Sequence, residues 1–80
     1  MSSINNINWN DIIKKEARGL NDDDLGEVQE VRPNEIITKT GVVDKETYCI
    51  PKNFVEGFDG HNLRFRISKE EAKAQYKIAD

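Results

Sequence analysis

Eighty residues hold one core at most, because short chains bury too small a fraction of their surface to sustain two. Apolar residues make up 36% of the chain and charged residues 34%, which excludes wholesale disorder, while a formal net charge of −3 removes any general attraction to nucleic-acid phosphates. One cysteine, Cys49, and one histidine, His61, exclude an internal disulfide and leave a metal cluster short of ligands. The expectations are therefore a cytoplasmic setting without metal or cofactor, and self-association as a homodimer to support a small core.

Residues 1–11 read as a polar N-terminal tail that lacks the basic and apolar regions of a targeting signal. No window approaches the roughly 20 apolar residues of a membrane span. At the end of the tail Trp9, Ile12 and Ile13 fall at helical spacing behind Asn8 or Asn10 as a cap, enough for one turn. Residues 13–20 predict a short strand that ends at Gly19 in an acidic turn, Asn21-Asp22-Asp23-Asp24.

Leu25, Val28 and Val31 recur every third residue, which suits a helix or a bulged strand. Gly26 and Pro33 would shorten a helix to under two turns, so a strand whose alternation slips between Val28 and Val31 is expected. Pro33-Asn34 turns the chain into β-branched residues 35–40, forming an antiparallel hairpin. A second hairpin follows through residues 41–46 into the strand 47–50, which Pro51 ends.

Phe54 and Phe58 are expected as core anchors, and Asp59-Gly60 as a turn favouring positive φ. Leu63, Phe65 and Ile67 then alternate with Asn62, Arg64 and Arg66, the cleanest two-residue period in the chain. Ser68-Lys69-Glu70-Glu71 is a capping-box pattern that starts a helix over residues 70–78, with Ala72, Tyr76 and Ala79 on one face. Together these elements predict a mainly β fold: a small barrel or roll of five to six antiparallel strands over residues 12–67, with a short C-terminal helix and tail over residues 68–80.

Catalytic chemistry finds little support. The run Asp22-Asp23-Asp24 lacks the alternating ligands, sixth-position glycine and twelfth-position glutamate of a calcium loop, so a solvated turn is expected. Cys49 lies between Tyr48 and Ile50 as a small hydrophobe in or near the core, and His61 follows a turn as an exposed residue. The five glycines are isolated and form no phosphate cradle. Phe54, Phe58 and Phe65 occupy apolar positions expected to point inward rather than to stack on bases.

The order of the motifs resembles the PRC-barrel family, named for the photosynthetic reaction-centre H subunit and shared by ribosome-maturation factors. Ala17-Arg18-Gly19-Leu20, the acidic turn and Asp24-Leu25-Gly26-Glu27-Val28-Gln29-Glu30-Val31 resemble its opening strand, turn and second strand. Tyr48-Cys49-Ile50-Pro51 with Asn53-Phe54-Val55 resembles its Ile-Pro element, and Asp59-Gly60 with Leu63-Arg64-Phe65-Arg66-Ile67 its closing hairpin. The likeness runs from about Ile12 to Ile67; the tail through Trp9 and the helix after Ser68 resemble small standalone archaeal-type members.

The resemblance implies a six-stranded barrel that acts as a non-enzymatic adaptor, in some archaeal members within cell-division assemblies, with no shared catalytic pattern. A protein partner is the expected ligand, met by Arg64 and Arg66 on the closing strand and by Tyr76 on the helix stripe. The alternative, by analogy with the maturation factors, is an RNA- or ribosome-associated accessory domain.

Overall fold

The computed structural model describes residues 7–41 and 45–78. They open on a 3-10 turn, Trp9–Ile12, capped by Asn8, whose side-chain oxygen accepts the Asn10 amide at 3.1 Å. Ile12 is fully buried, and Ile7 and Trp9 pack partly buried against the core. The strands that follow are β1 (Glu16–Arg18), β2 (Asp24–Val31), β3 (Glu35–Thr40), β4 (Glu46–Pro51), β5 (Val55–Phe58) and β6 (Asn62–Phe65). Helix α1 (Lys69–Gln75) leads into a last strand, β7 (Lys77–Ile78).

All seven strands form one sheet in the order β5-β6-β1-β2-β3-β4-β7. The mainly β expectation holds, but the sheet has seven strands instead of five to six, and it is mixed instead of antiparallel. The mixing has a local cause. β1 to β4 reverse direction at each step, but the 3-10 turn Lys52–Phe54 carries the chain from β4 into β5 without a reversal, so the β5–β6 hairpin delivers β6 parallel to β1. That three-residue connection also joins β5, at one end of the sheet order, to β4, next to the last strand at the other, which requires the sheet to curl. Among the described residues no ladder pairs β5 with β7, so the sheet remains open.

Side-chain alternation fills the concave face. Ala17, Leu25, Val28, Ile36, Tyr48, Ile50, Val55, Leu63, Phe65 and Ile67 are buried there. Burial of each large apolar side chain contributes about 1.5–3 kcal/mol, and that is the main stabilising force in a core this size. The slip expected in β2 is present as a bulge between Val28 and Glu30, where the register moves from Val28 opposite Thr38 to Glu30 opposite Ile37. Of the three phenylalanines expected to point inward, Phe65 is buried, whereas the two expected core anchors, Phe54 and Phe58, are only partly buried against the core.

Two glycines permit close crossings. A Cβ on Gly26, whose φ is +96°, would overlap the Lys39 carbonyl of β3. One on Gly19 would overlap the Ile67 carbonyl, which accepts the Leu20 amide at 2.9 Å and ties the end of β1 to the end of β6.

The helix begins as expected: the Ser68 hydroxyl accepts the Glu71 amide at 3.1 Å. Its end differs. The expected run to Ile78 stops at Gln75, because Tyr76 turns out of the helix at φ −123°, ψ 7° and its carbonyl accepts the Cys49 amide at 2.8 Å. Lys77 and Ile78 then pair with Tyr48 and Thr47, so backbone bonds to the β4 edge replace another half-turn. Ala72 is the only buried residue of α1, and the expected stripe position Ala79 lies outside the described residues.

Two substitutions test this packing by urea unfolding. Gly26→Ala should destabilise by about 1–3 kcal/mol, since it meets both a forbidden φ and a backbone oxygen. Thr38→Val should stabilise by about 1 kcal/mol, because the fully buried Thr38 hydroxyl has no hydrogen-bond partner among the described residues and its loss removes an uncompensated desolvation cost.

Candidate partner-binding surface

The acidic turn is tied to several elements of the fold. Its backbone passes through a 3-10 turn, Leu20–Asp22, with Asn21 and Asp22 at φ 57° and 65°, a region these two residue types tolerate better than most. The three carboxylates take three different partners. Asp22 accepts from the Arg64 guanidinium at 3.1 Å, Asp23 accepts the Lys69 amide at 2.9 Å, and Asp24 accepts the Gly26 amide at 2.9 Å. The turn is formed as expected, but it links β6, α1 and β2 instead of only meeting solvent. Among the described residues no group of three or more His, Cys, Asp or Glu is placed to hold a metal.

Arg64 therefore has a built-in partner, with its side chain 43% exposed. It alternates with buried Leu63 and Phe65, and so faces outward together with the exposed Arg66. The ladder fixes its neighbours: Arg18 of β1 lies beside Arg64, and Asp24 of β2 lies on the other side of Arg18. One step along, Glu16 stands between Asn62 and Glu27, and Glu27 is opposite Lys39. The outer surface of β6, β1, β2 and β3 thus carries charges in a grid set by backbone pairing. An open groove of about 450 Å³ borders it, lined in part by Glu16, Asp24, Glu27 and Lys39.

Tyr76, the third expected contact residue, lies apart from this grid. It is half-buried, with its ring edge-on to Phe54 at 5.6 Å between centroids. The Arg66 amide donates to the Phe54 carbonyl at 2.7 Å, so Arg66 and Tyr76 meet at Phe54, one through backbone and the other through its ring. Nearby, the Lys52 ammonium sits 4.3 Å from the centre of the Trp9 ring.

A further polar cluster, absent from the sequence expectations, fastens α1 and β7 to β4. The buried Tyr48 hydroxyl donates to Glu46 Oε1 at 2.6 Å, and the ammonium groups of Lys73 and Lys77 each lie 3.7 Å from Glu46 Oε2. The Tyr48 hydrogen bond, then the lysines, hold the Glu46 carboxyl below its ordinary range. Burial first, and the adjacent carboxylate second, push the Tyr48 phenol up. The sequence pattern placed Glu46 in the connection before the strand and Lys77 in the helix, whereas the structure has Glu46 open β4 and Lys77 open β7.

Cys49 is half-buried opposite Ile37, and burial followed by the nearby Glu35 raises its thiol pKa. His61 is exposed; its amide and that of Asn62 donate to Asp59 Oδ1 at 2.9 and 2.8 Å, which lowers the Asp59 carboxyl. Among the described residues no helix is long and apolar enough to cross a membrane. No family model, no curated protein and no solved structure matches the chain.

The lowered Glu46 pKa has a signed consequence for stability. A carboxyl held below its unfolded value stabilises the fold above that value, near 4.5, and the contribution disappears as pH falls through the lower folded value. The thermal midpoint should therefore drop with acidification below about pH 4.5, and Glu46→Gln should flatten that part of the profile.

Proposed function

We propose that this chain is a non-catalytic protein-binding module of the PRC-barrel type, an adaptor or scaffold in a cell-division or other cytoplasmic assembly, acting as a homodimer. The observation that carries the reading is the charged grid on the outer sheet. Arg64, Arg18 and Asp24 stand side by side on paired strands, so their positions are set before any partner arrives. Preorganised charges on a rigid scaffold lose little freedom on binding and discriminate between partners by sign.

The family assignment draws support from where its motif residues fall. Gly26 sits at a close strand crossing, Pro51 ends β4, and Asp59-Gly60 turns β5 into β6 with Gly60 at φ +100°. The curl imposed by the short β4–β5 connection is in keeping with a barrel, and closure of that barrel is part of the proposal.

Affinity capture at low salt tests it, with Arg66→Glu as the discriminating variant because Arg66 is exposed and lies just beyond β6. A protein partner retained by the parent chain and reduced at least about tenfold by the variant, with unchanged circular dichroism, is the expected result. Capture that ignores the charge reversal would overturn the assigned surface, and salt-sensitive retention of RNA would favour the accessory-domain alternative. Sedimentation should show a dimer; a monomer at all concentrations would contradict that part.

A further inference from the structure

We infer that residues 69–78, α1 together with β7, form a releasable strap, and that the β4 edge beneath it receives an extended partner segment with a basic residue followed by an aliphatic one. The inference rests on reading the chain as a protein-binding module.

The strap is thinly held. In these ten residues only Ala72 is fully buried, Tyr76 is half-buried, and both strand residues, Lys77 and Ile78, are exposed. By contrast, β3 places Ile36, Ile37 and Thr38 consecutively out of solvent. Segments with few buried apolar groups open at lower cost than the core and do so as units. Besides Ala72, the strap is held by the Tyr76 ring edge-on to Phe54 at 5.6 Å, the short ladder to β4, Asp23 on the Lys69 amide, the Cys49 amide on the Tyr76 carbonyl, and Glu46 facing two lysines. The non-helical backbone at Tyr76 is a joint at which β7 can peel from β4 first, ahead of α1, whose start is capped by Ser68 and Asp23.

The exposed edge would then define its own ligand. β7 occupies only the first half of β4, with Lys77 opposite Tyr48 and Ile78 opposite Thr47. The Cys49 amide is offered to a carbonyl, and Pro51 at the end of β4 has no N–H to extend the ladder. Glu46 supplies a carboxylate that now faces the Lys77 and Lys73 ammonium groups at 3.7 Å. A competing strand must therefore bring a backbone carbonyl, a cation and an aliphatic side chain in the order Tyr76, Lys77, Ile78 now presents. Strand addition to a sheet edge is a common mode of peptide capture, with main-chain bonds supplying affinity and side chains supplying choice.

The test uses the intact, isotope-labelled protein and a blocked peptide copying residues 74–78, with a second peptide carrying glutamate in place of its lysine. The Cys49 amide should be at least about tenfold less protected from hydrogen exchange than the core Val28 amide, which donates to Lys15. The lysine peptide should shift the Thr47, Tyr48 and Cys49 amide resonances, and should bind at least about tenfold more tightly to Lys77→Glu, where the strap is repelled from Glu46. Val28 protection reports whether that variant is folded; if it is not, Lys73→Glu serves instead. Equal protection of Cys49 and Val28, or a folded strap variant that ignores the peptide, would overturn the inference. If the peptide fails while Arg66-dependent capture persists, the strap falls and the binding module stands.

Discussion

Two of three consecutive carboxylates fasten together elements that the chain order keeps apart, and the third braces its own strand. Asp22 reaches Arg64 on β6, Asp23 caps the first amide of α1, and Asp24 braces Gly26 within β2. With the Leu20 amide on the Ile67 carbonyl, Asp22 clamps the parallel β1–β6 junction, the one parallel pairing in the sheet among the described residues. A hydrophobic core alone does not specify that junction, because apolar burial is non-directional. Hydrogen bonds at fixed geometry provide the direction, each at modest net energy.

The same clamp shapes the outer surface. Arg64 is held by Asp22 beside Arg18, while Arg66, just beyond β6, is exposed. An isolated surface ion pair is worth about 0–1 kcal/mol, so the Asp22–Arg64 pair matters more for where it holds the guanidinium than for stability. At the opposite end of the sheet order, α1 and β7 are fastened by a second small polar cluster around Glu46. One clamp is built into the body of the fold and the other sits at its margin, which accounts for a firm charged grid on one side and a thinly buried segment on the other.

Features governed by neighbouring residues were legible in the sequence. The alternation of Leu63, Phe65 and Ile67, the slip in β2, the Asp59-Gly60 turn and the Ser68 cap all depend on contacts within a few positions, and each appears where the pattern placed it. Features decided by distant partners were not. Nothing local distinguishes an aspartate that caps a helix 46 residues away from one that faces water. Tyr76 and Ile78 are residue types that strands favour, but nothing local announces that the edge of β4 is there to pair with residues 77 and 78. The parallel pairing of β6 depends on a three-residue turn that continues the chain direction, a geometric outcome that the composition of Lys52–Phe54 does not announce. Of the three expected contact residues, Arg64 and Arg66 lie on one outer surface, while Tyr76 is engaged with Phe54.

The most direct measurement is equilibrium urea unfolding of Asp22→Ala, Asp23→Ala and Asp24→Ala, singly and combined. If the turn organises the fold, Asp23→Ala and Asp24→Ala should each cost about 0.5–2 kcal/mol and Asp22→Ala, whose ion pair is exposed, about 0–1 kcal/mol, with Asp23→Ala the largest because it uncovers a helix amide at a half-buried site. Three variants within about 0.5 kcal/mol of the parent, the behaviour of substitutions on an ordinary solvated surface, would contradict that role.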